Sequence, residues 1–405
     1  MQTANPLPPF RLNIPRLENG LFVLFAFLFP LNGPSASLVA ALILFIYLMS
    51  GDYAAKWAHF KDHRVLHLAL ALFAWTVFAA VYSNAQPEFL NHDLFKYKKL
   101  LLAIPFLYYL KPSQKVNMLL AFALSEFVAI AISLYKGHGF VEFIKTGQFV
   151  YTNGLRIYIS EGMFLALVVF MALHWFFIEK RLKALSLIAL AILLIHVAFI
   201  NGRMGLLSLG FVLLYAVFLI QKSTLFRGVF LSLIAALSLV IYFKIPLVEN
   251  RIQRTVAEAS QVFSDSKPES IRLQYFQLSL NLFKANPILG QGPGSFHTAT
   301  VQSGNPDGEF KTHLHTHNEY LTLLSQYGLI GFGLFIALVV HLLKDAYQHN
   351  DVFLRHAGIV GLLLFMLNSL TDSMLYMEGY FFVFLLSIAA RTVHVDRSPA
   401  LSGDP

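Results

Sequence analysis

The chain has 405 residues, 57% hydrophobic and only 13% charged, about half the charged share of a soluble domain, so lipid is its main solvent and a water-soluble globular fold is excluded. It has no cysteine, which excludes disulfides, thiolate metal sites and cysteine nucleophiles. The net charge of +8 does not call for a nucleic-acid partner, because lysine and arginine collect on the cytoplasmic side of membrane proteins.

A helix needs about 20 apolar residues to cross a bilayer, and a scan at that length finds about twelve segments. In chain order they lie near residues 17–31, 34–50, 65–84, 97–110, 115–135, 157–178, 183–200, 204–221, 226–243, 319–343, 354–371 and 377–393. The opening MQTANPLPPFRLNIPRLENG lacks the charged region, short apolar core and small-residue cleavage site of a signal peptide, so the first segment reads as a retained membrane helix. The high phenylalanine content suits lipid-facing and interfacial positions.

Every second connection is basic. The set holds Arg11 and Arg16, then Lys56, Lys61 and Arg64, then Lys111 and Lys115, then Lys180, Arg181 and Lys183. It continues with Lys222 and Arg227, Lys344 and Arg355, and ends with Arg391 and Arg397. The positive-inside rule makes this set cytoplasmic. Both termini are then inside, which requires an even number of spans.

Cations on the opposite side depart from that pattern. Lys96, Lys98 and Lys99 stand at the mouth of the fourth segment, Arg156 opens the sixth, and Arg203 sits in the tight turn FINGRMGLLSL. Ionisable groups near membrane depth are functional candidates, although a lysine can also snorkel to lipid phosphates. Arg203 has no long loop to accommodate it and reads as functional.

One connection is long, residues 245–318, and falls on the outer side. In NRIQRTVAEASQVF, Ile252, Val256, Ala259 and Phe263 share a helical face; in PESIRLQYFQLSLNLFKANP, Ile271, Tyr275, Leu278 and Leu282 do the same. Pro268 suits a first turn and Pro287 stops the second helix. Both read as amphipathic helices lying on the membrane or the bundle, with Arg251, Arg254 and Arg272 on polar faces. The following LGQGPGSF has alternate glycines but no preceding strand and no GK[ST], so it reads as a plain flexible turn rather than a phosphate cradle.

The loop ends in KTHLHTHNEYLTLLSQYGLIGF, with His313, His315 and His317 at alternate positions before an apolar helix. Three readings stand. The histidines could bind a metal, but alternate residues of an extended segment are not expected to converge on one ion, and no clustered carboxylates stand out nearby. They could be solvated loop residues. Or His317 could be a general base, since an imidazole titrates near neutrality. Arginines with one base, and no carboxylate pair of the glycosidase kind, suit transfer of a sugar already activated as a diphosphate. The cations stabilise the leaving group without a metal, and the base takes the acceptor proton.

These residues carry a resemblance. Arg203 followed by Leu207 at an outer turn, and His317–Asn318 followed by EYLTLLSQY and Gly328–Leu329–Ile330–Gly331, resemble motifs of bacterial O-antigen ligases of the WaaL type. Those ligases share a superfamily with O-antigen polymerases and O-linked oligosaccharyltransferases. IRLQYFQLSLNLFKANPILGQGPGSF resembles the family's loop segment, with Arg272 at the place of a functional arginine. The resemblance implies an all-α polytopic membrane protein, a GT-C class glycosyltransferase of about twelve transmembrane helices with one long periplasmic loop containing amphipathic helices. Spans one to nine would occupy residues 1–244, the loop 245–318, the last three spans 319–394, and a cytoplasmic tail 395–405.

It further implies a Gram-negative inner-membrane enzyme with a periplasmic active site and no metal or other cofactor. The donor would be undecaprenyl-diphosphate-linked O-antigen and the acceptor a hydroxyl of lipid A-core, in lipopolysaccharide biosynthesis with inversion at the anomeric carbon. His317 would be the base, with Arg203 and Arg272 catalytic and holding the diphosphate. Arg156, Lys98, Lys99, His315 and Asn318 would be further substrate contacts. An O-antigen polymerase and a protein O-oligosaccharyltransferase are rival readings. A lipid-linked sugar transporter is a rival of another class, but the sequence shows no repeated halves and its unusual charges cluster at one face rather than the midplane.

Overall fold

The structure is a computed structural model that describes residues 14–51, 53–138, 140–146, 158–179, 183–199, 203–220, 223–225, 227–229, 232, 271–302 and 315–392. The ninth expected span, the first amphipathic helix, Arg156, Arg251, Arg254, His313 and the tail at 395–405 fall outside those residues, wholly or nearly so. Of Arg203 only the backbone is described.

Among the described residues every regular element is helical. The chain runs through α1 (Ile14–Leu28), α2 (Gly33–Met49), α3 (Tyr53–Asp62), α4 (Arg64–Ala79), α5 (Pro87–Tyr97), α6 (Ala103–Tyr109), α7 (Pro112–Tyr135) and α8 (Phe140–Thr146). It continues with α9 (Tyr158–His174), α10 (Lys183–Phe199), α11 (Arg203–Ile220), α12 (Ile271–Ala285), α13 (Ser295–Gln302) and α14 (Glu319–Tyr347). The last are α15 (Val352–Asn368), α16 (Met374–Met377) and α17 (Gly379–Ala389). Among the described residues, three helices are long and apolar enough to cross a membrane: Pro112–Tyr135, Ile159–Glu179 and Glu319–Tyr347. Shorter apolar helices cover Asn19–Leu28, Arg64–Ala79, Lys183–Val197, Met204–Leu219, Val352–Asn368 and Gly379–Ala389. A multi-pass membrane protein follows from these helices.

The fourth expected span divides. Lys98–Leu102 is a 3-10 turn, and only Ala103–Tyr109 returns to α-helix. Pro105 sits in the first turn of α6, where its missing N–H is not needed, so a new helix starts there instead of continuing α5. α5 itself was read from the sequence as a connection.

Many phenylalanines face inward rather than lipid. Phe29 stacks on Phe122 with ring centroids 5.6 Å apart, and Phe164 meets Phe381 at 4.5 Å. These rings join the end of α1 to α7, α9 and α17. Between helices in lipid there is no water to expel, so close packing, not the hydrophobic effect, holds such contacts. The α9–α11 crossing follows the same logic. Gly162 and Gly205 face each other so closely that a Cβ on Gly162 would lie 2.5 Å from the Gly205 Cα.

The feature that positions the site is a break in α14. Gly328 has φ 64° and ψ −166°, a region essentially reserved for glycine. The break leaves backbone groups without helical partners, and buried groups of that kind must be paired. The glycine turn supplies the partners. Gln291 N–H donates to Ser325 O (2.9 Å), Gly292 N–H to Gln326 O (2.8 Å), and Leu329 N–H to Pro287 O (2.9 Å). Trp75 on α4 completes the set, its Nε1–H donating to Tyr327 O at 2.9 Å. Gly331 has no room for a side chain, since a Cβ there would lie 2.3 Å from Tyr327 Cβ and 3.1 Å from Trp75 Cδ1. The Gly-x-x-Gly spacing is thus one helix break and one close approach beside it.

The glycine turn is therefore packed on both sides. Tyr82 OH donates to Leu289 O (2.6 Å), and Ser83 Oγ to Pro293 O (2.8 Å). Gly294 N–H is shared between Asp93 Oδ2 (2.9 Å) and Gln326 Oε1 (3.1 Å). The plain turn read from LGQGPGSF is the clamp that fixes α12 and α13 to the bundle.

Candidate functional site

α14 begins with Asn318 as its N-cap. Asn318 Oδ1 accepts from Leu321 N–H at 3.0 Å, while Nδ2 donates to Leu370 O at 2.9 Å. Both ends of this amide make structural hydrogen bonds. The next residue, Glu319, is fully buried. Its carboxylate accepts Leu375 N–H (2.9 Å) and Tyr376 N–H (3.4 Å), and Tyr97 OH lies at 3.5 Å. Its own N–H donates to Ser369 O at 2.9 Å and to Asp372 O at 3.1 Å. Thr322 Oγ1 adds a hydrogen bond with Ser373 Oγ at 2.9 Å. The start of α14 is thereby tied to the turn between α15 and α16, and that turn carries Asp372.

Immediately before the cap the backbone turns. His317 has φ 55°, the one positive φ at a non-glycine among the described residues. Such a conformation is uncommon outside glycine, asparagine, aspartate and histidine, and strain of this kind clusters at functional sites. The consequence is convergence. His315 Nδ1 lies 3.4 Å and His317 Nδ1 3.3 Å from the same oxygen, Asp372 Oδ1. The two rings are 4.5 Å apart at 62°. The expectation that alternate histidines do not converge fails here, because His317 is not in an extended conformation.

Asp372 is 2% exposed, with the two histidines at 13% and 15%, so the carboxylate lies beneath and the imidazoles reach the surface. Burial alone would raise the Asp372 carboxyl. The contact with His317, the charges of His315 and His317, and the Ser373 N–H at 2.9 Å together outweigh burial and hold it below the ordinary carboxylate value. It is ionised at neutral pH.

α12 covers this cluster. Its expected apolar face is observed: Tyr275 packs with Phe296, flanked by Ile271, Leu278 and Leu282. The Tyr275 ring lies parallel to His317 at 6.0 Å. Arg272 is exposed three residues before Tyr275, a spacing that makes the two side chains neighbours on the helix surface. Arg203 opens α11, and that helix meets α15 where Asn368 Nδ2 donates to Ser208 Oγ at 2.9 Å, four residues before Asp372.

The lysines differ among themselves. Lys96 Nζ lies 5.0 Å from the centroid of Tyr376, whose ring is 5.5 Å from His315. Tyr376 OH shares a 2.8 Å hydrogen bond with His92 Nδ1. Lys99 lies over Tyr380 at 4.6 Å, and the exposed Lys98 over Phe95 at 4.2 Å. Of the three, Lys96 is next to the ring that borders the histidines.

The sequence reading missed Asp372, Glu319, Tyr275 and Tyr376 as site residues. A signal for Asp372 existed. The short connection after residue 371 falls on the same side as the long loop by the alternation of basic connections, and Asp372 is its carboxylate.

No curated protein matches the chain. Residues 188–336 match the family model described as O-Antigen ligase, a stretch that contains Arg203, Arg272, His315, His317 and the glycine pair of α14 but stops short of Asp372, and the match supports a place in the O-antigen ligase and polymerase superfamily.

Proposed function

We propose that the chain is an O-antigen ligase of the WaaL type, a metal-independent inverting glycosyltransferase of the GT-C class. The observation that carries this reading is the His317–Asp372 contact at the head of α14, beside the helix that bears Arg272. An acceptor hydroxyl of lipid A-core attacks the anomeric carbon of the undecaprenyl-diphosphate-linked O-antigen. His317 Nε2 takes the hydroxyl proton as the new C–O bond forms. Asp372 faces Nδ1, keeping the proton there and leaving the Nε2 lone pair for catalysis, as in other carboxylate–imidazole pairs. The bond from the anomeric carbon to the diphosphate oxygen breaks, and undecaprenyl diphosphate departs with the electron pair. Arg203 and Arg272 stabilise that charge, the guanidinium fork matching phosphate oxygens.

Depth supports the same reading. Residues 329–347 rise about 28 Å, close to the roughly 30 Å hydrocarbon thickness. The segment before Gly328, with His317 ahead of it, then stands at headgroup level on the periplasmic side of the inner membrane. Alkaline phosphatase fused after Ser303 should be active, and fused after Gln348 inactive; the reverse would move the site to the cytoplasm.

Purified protein incubated with lipid-linked oligosaccharide and lipid A-core should yield a new glycolipid. A ladder of lengthened donor would instead mark a polymerase. The reaction should proceed at nearly full rate in excess EDTA, because fixed cations replace a metal at the leaving group. A loss that magnesium or manganese restores would defeat this mechanism.

A further inference from the structure

We propose that His315, His317 and Asp372 form a site for a tetrahedral divalent transition ion, zinc above all, and that occupancy of this site switches transfer off. The ligand atoms of the three side chains all lie within 4.8 Å of one another. Zinc binds imidazole nitrogen at about 2.0–2.1 Å and carboxylate oxygen at about 2.0–2.2 Å, which sets the edge of its tetrahedron near 3.4 Å. The two edges from Asp372 Oδ1, to His315 Nδ1 and His317 Nδ1, measure 3.4 and 3.3 Å. Two imidazoles and one carboxylate suit zinc, whereas magnesium and calcium favour all-oxygen shells.

The cluster is also held in place before any ion arrives. The positive φ of His317 turns the two rings toward one carboxylate, and Ser373 N–H fixes Asp372 Oδ1 at 2.9 Å. The ion displaces the 3.3 Å contact between His317 Nδ1 and Asp372 and a long 3.4 Å contact from the His317 backbone N–H to His315 Nδ1. A fourth ligand such as water would complete the tetrahedron.

Inhibition follows from tautomer chemistry and rests on the base role given above to His317. A neutral imidazole carries one N–H. When Nδ1 donates its lone pair to the ion, the proton moves to Nε2. Nε2 then has no lone pair to accept the acceptor proton, and no bond in the substrates needs to change. The ion that Asp372 helps to hold thus blocks the base that Asp372 otherwise orients.

The test is titration of full-length, detergent-purified, EDTA-stripped protein with Zn2+ alone, and with Co2+ to read tetrahedral coordination by visible absorption. Wild type should bind one equivalent at this site. His315→Gln and Asp372→Asn should each weaken that binding by at least about 10- to 100-fold, the effect of losing even an outer-shell partner. Two different variants, each checked for monodispersity, guard against loss through misfolding. Saturating Zn2+ should lower wild-type transfer by at least about tenfold, with recovery on EDTA addition. Equal binding by wild type and both variants, or none, overturns the site. Binding with unchanged or increased transfer overturns the inhibitory role. Tight binding lost in both variants, in a protein that transfers no sugar under any condition, supports the site and defeats the ligase reading instead.

Discussion

His317→Ala should slow transfer by roughly 10²- to 10⁴-fold, the usual worth of a positioned general base, with little change in donor binding. Asp372→Asn should slow it by a comparable factor. On the proposed mechanism the buried carboxylate selects the tautomer of an imidazole 3.3 Å away, and an amide can present N–H where an acceptor is needed. The double variant should be scarcely worse than either single one, since residues that act as a unit are not additive. Arg272→Ala should differ in kind. It should weaken donor binding as well as rate, because the cation meets charge in both the bound donor and the transition state, and Arg272→Lys should restore only part. Rates and donor affinities measured at matched expression decide the matter. Near-normal transfer by His317→Ala, or greater damage from His315→Ala, would remove His317 as the base.

Gly328→Ala is expected to have the largest structural effect. A Cβ there would stand 2.2 Å from Ile288 O and 2.5 Å from the Ile288 carbonyl carbon, both backbone atoms that cannot swing aside. The backbone conformation is itself one that alanine avoids. Strain and overpacking together should cost about 2–5 kcal/mol, with the glycine turn detaching from α14 and activity lost with it. Gly333→Ala is the control. It lies in the same helix with nothing within 4 Å of its Cβ, so it should be neutral or stabilise by up to about 1 kcal/mol. Thermal midpoints of the purified variants make the comparison. If the two substitutions cost the same, the helix break is not what holds the turn.

The sequence by itself determined the solvent and the helical class, and it pointed to the neighbourhood of the candidate site. Composition and run length require only local information: about 20 apolar residues mark a span wherever they pack. The apolar face of α12 was legible for the same reason, because Ile271, Tyr275, Leu278 and Leu282 repeat at helical spacing. His317 stood out as a candidate through a motif contained within residues 317–331.

Only the tertiary structure decided what completes the site. Asp372 lies 55 positions from His317 in a turn with no motif, and their meeting depends on hydrogen bonds from Glu319 to that turn. The glycines of LGQGPGSF and the Gly328–Gly331 pair look like separate turn signals in sequence. They are two sides of one joint, because each supplies the backbone partners that the other lacks. Nor did spacing reveal that His315 and His317 would face one oxygen. That outcome rests on a single left-handed residue, a dihedral choice made by the packing around it and invisible to any periodicity.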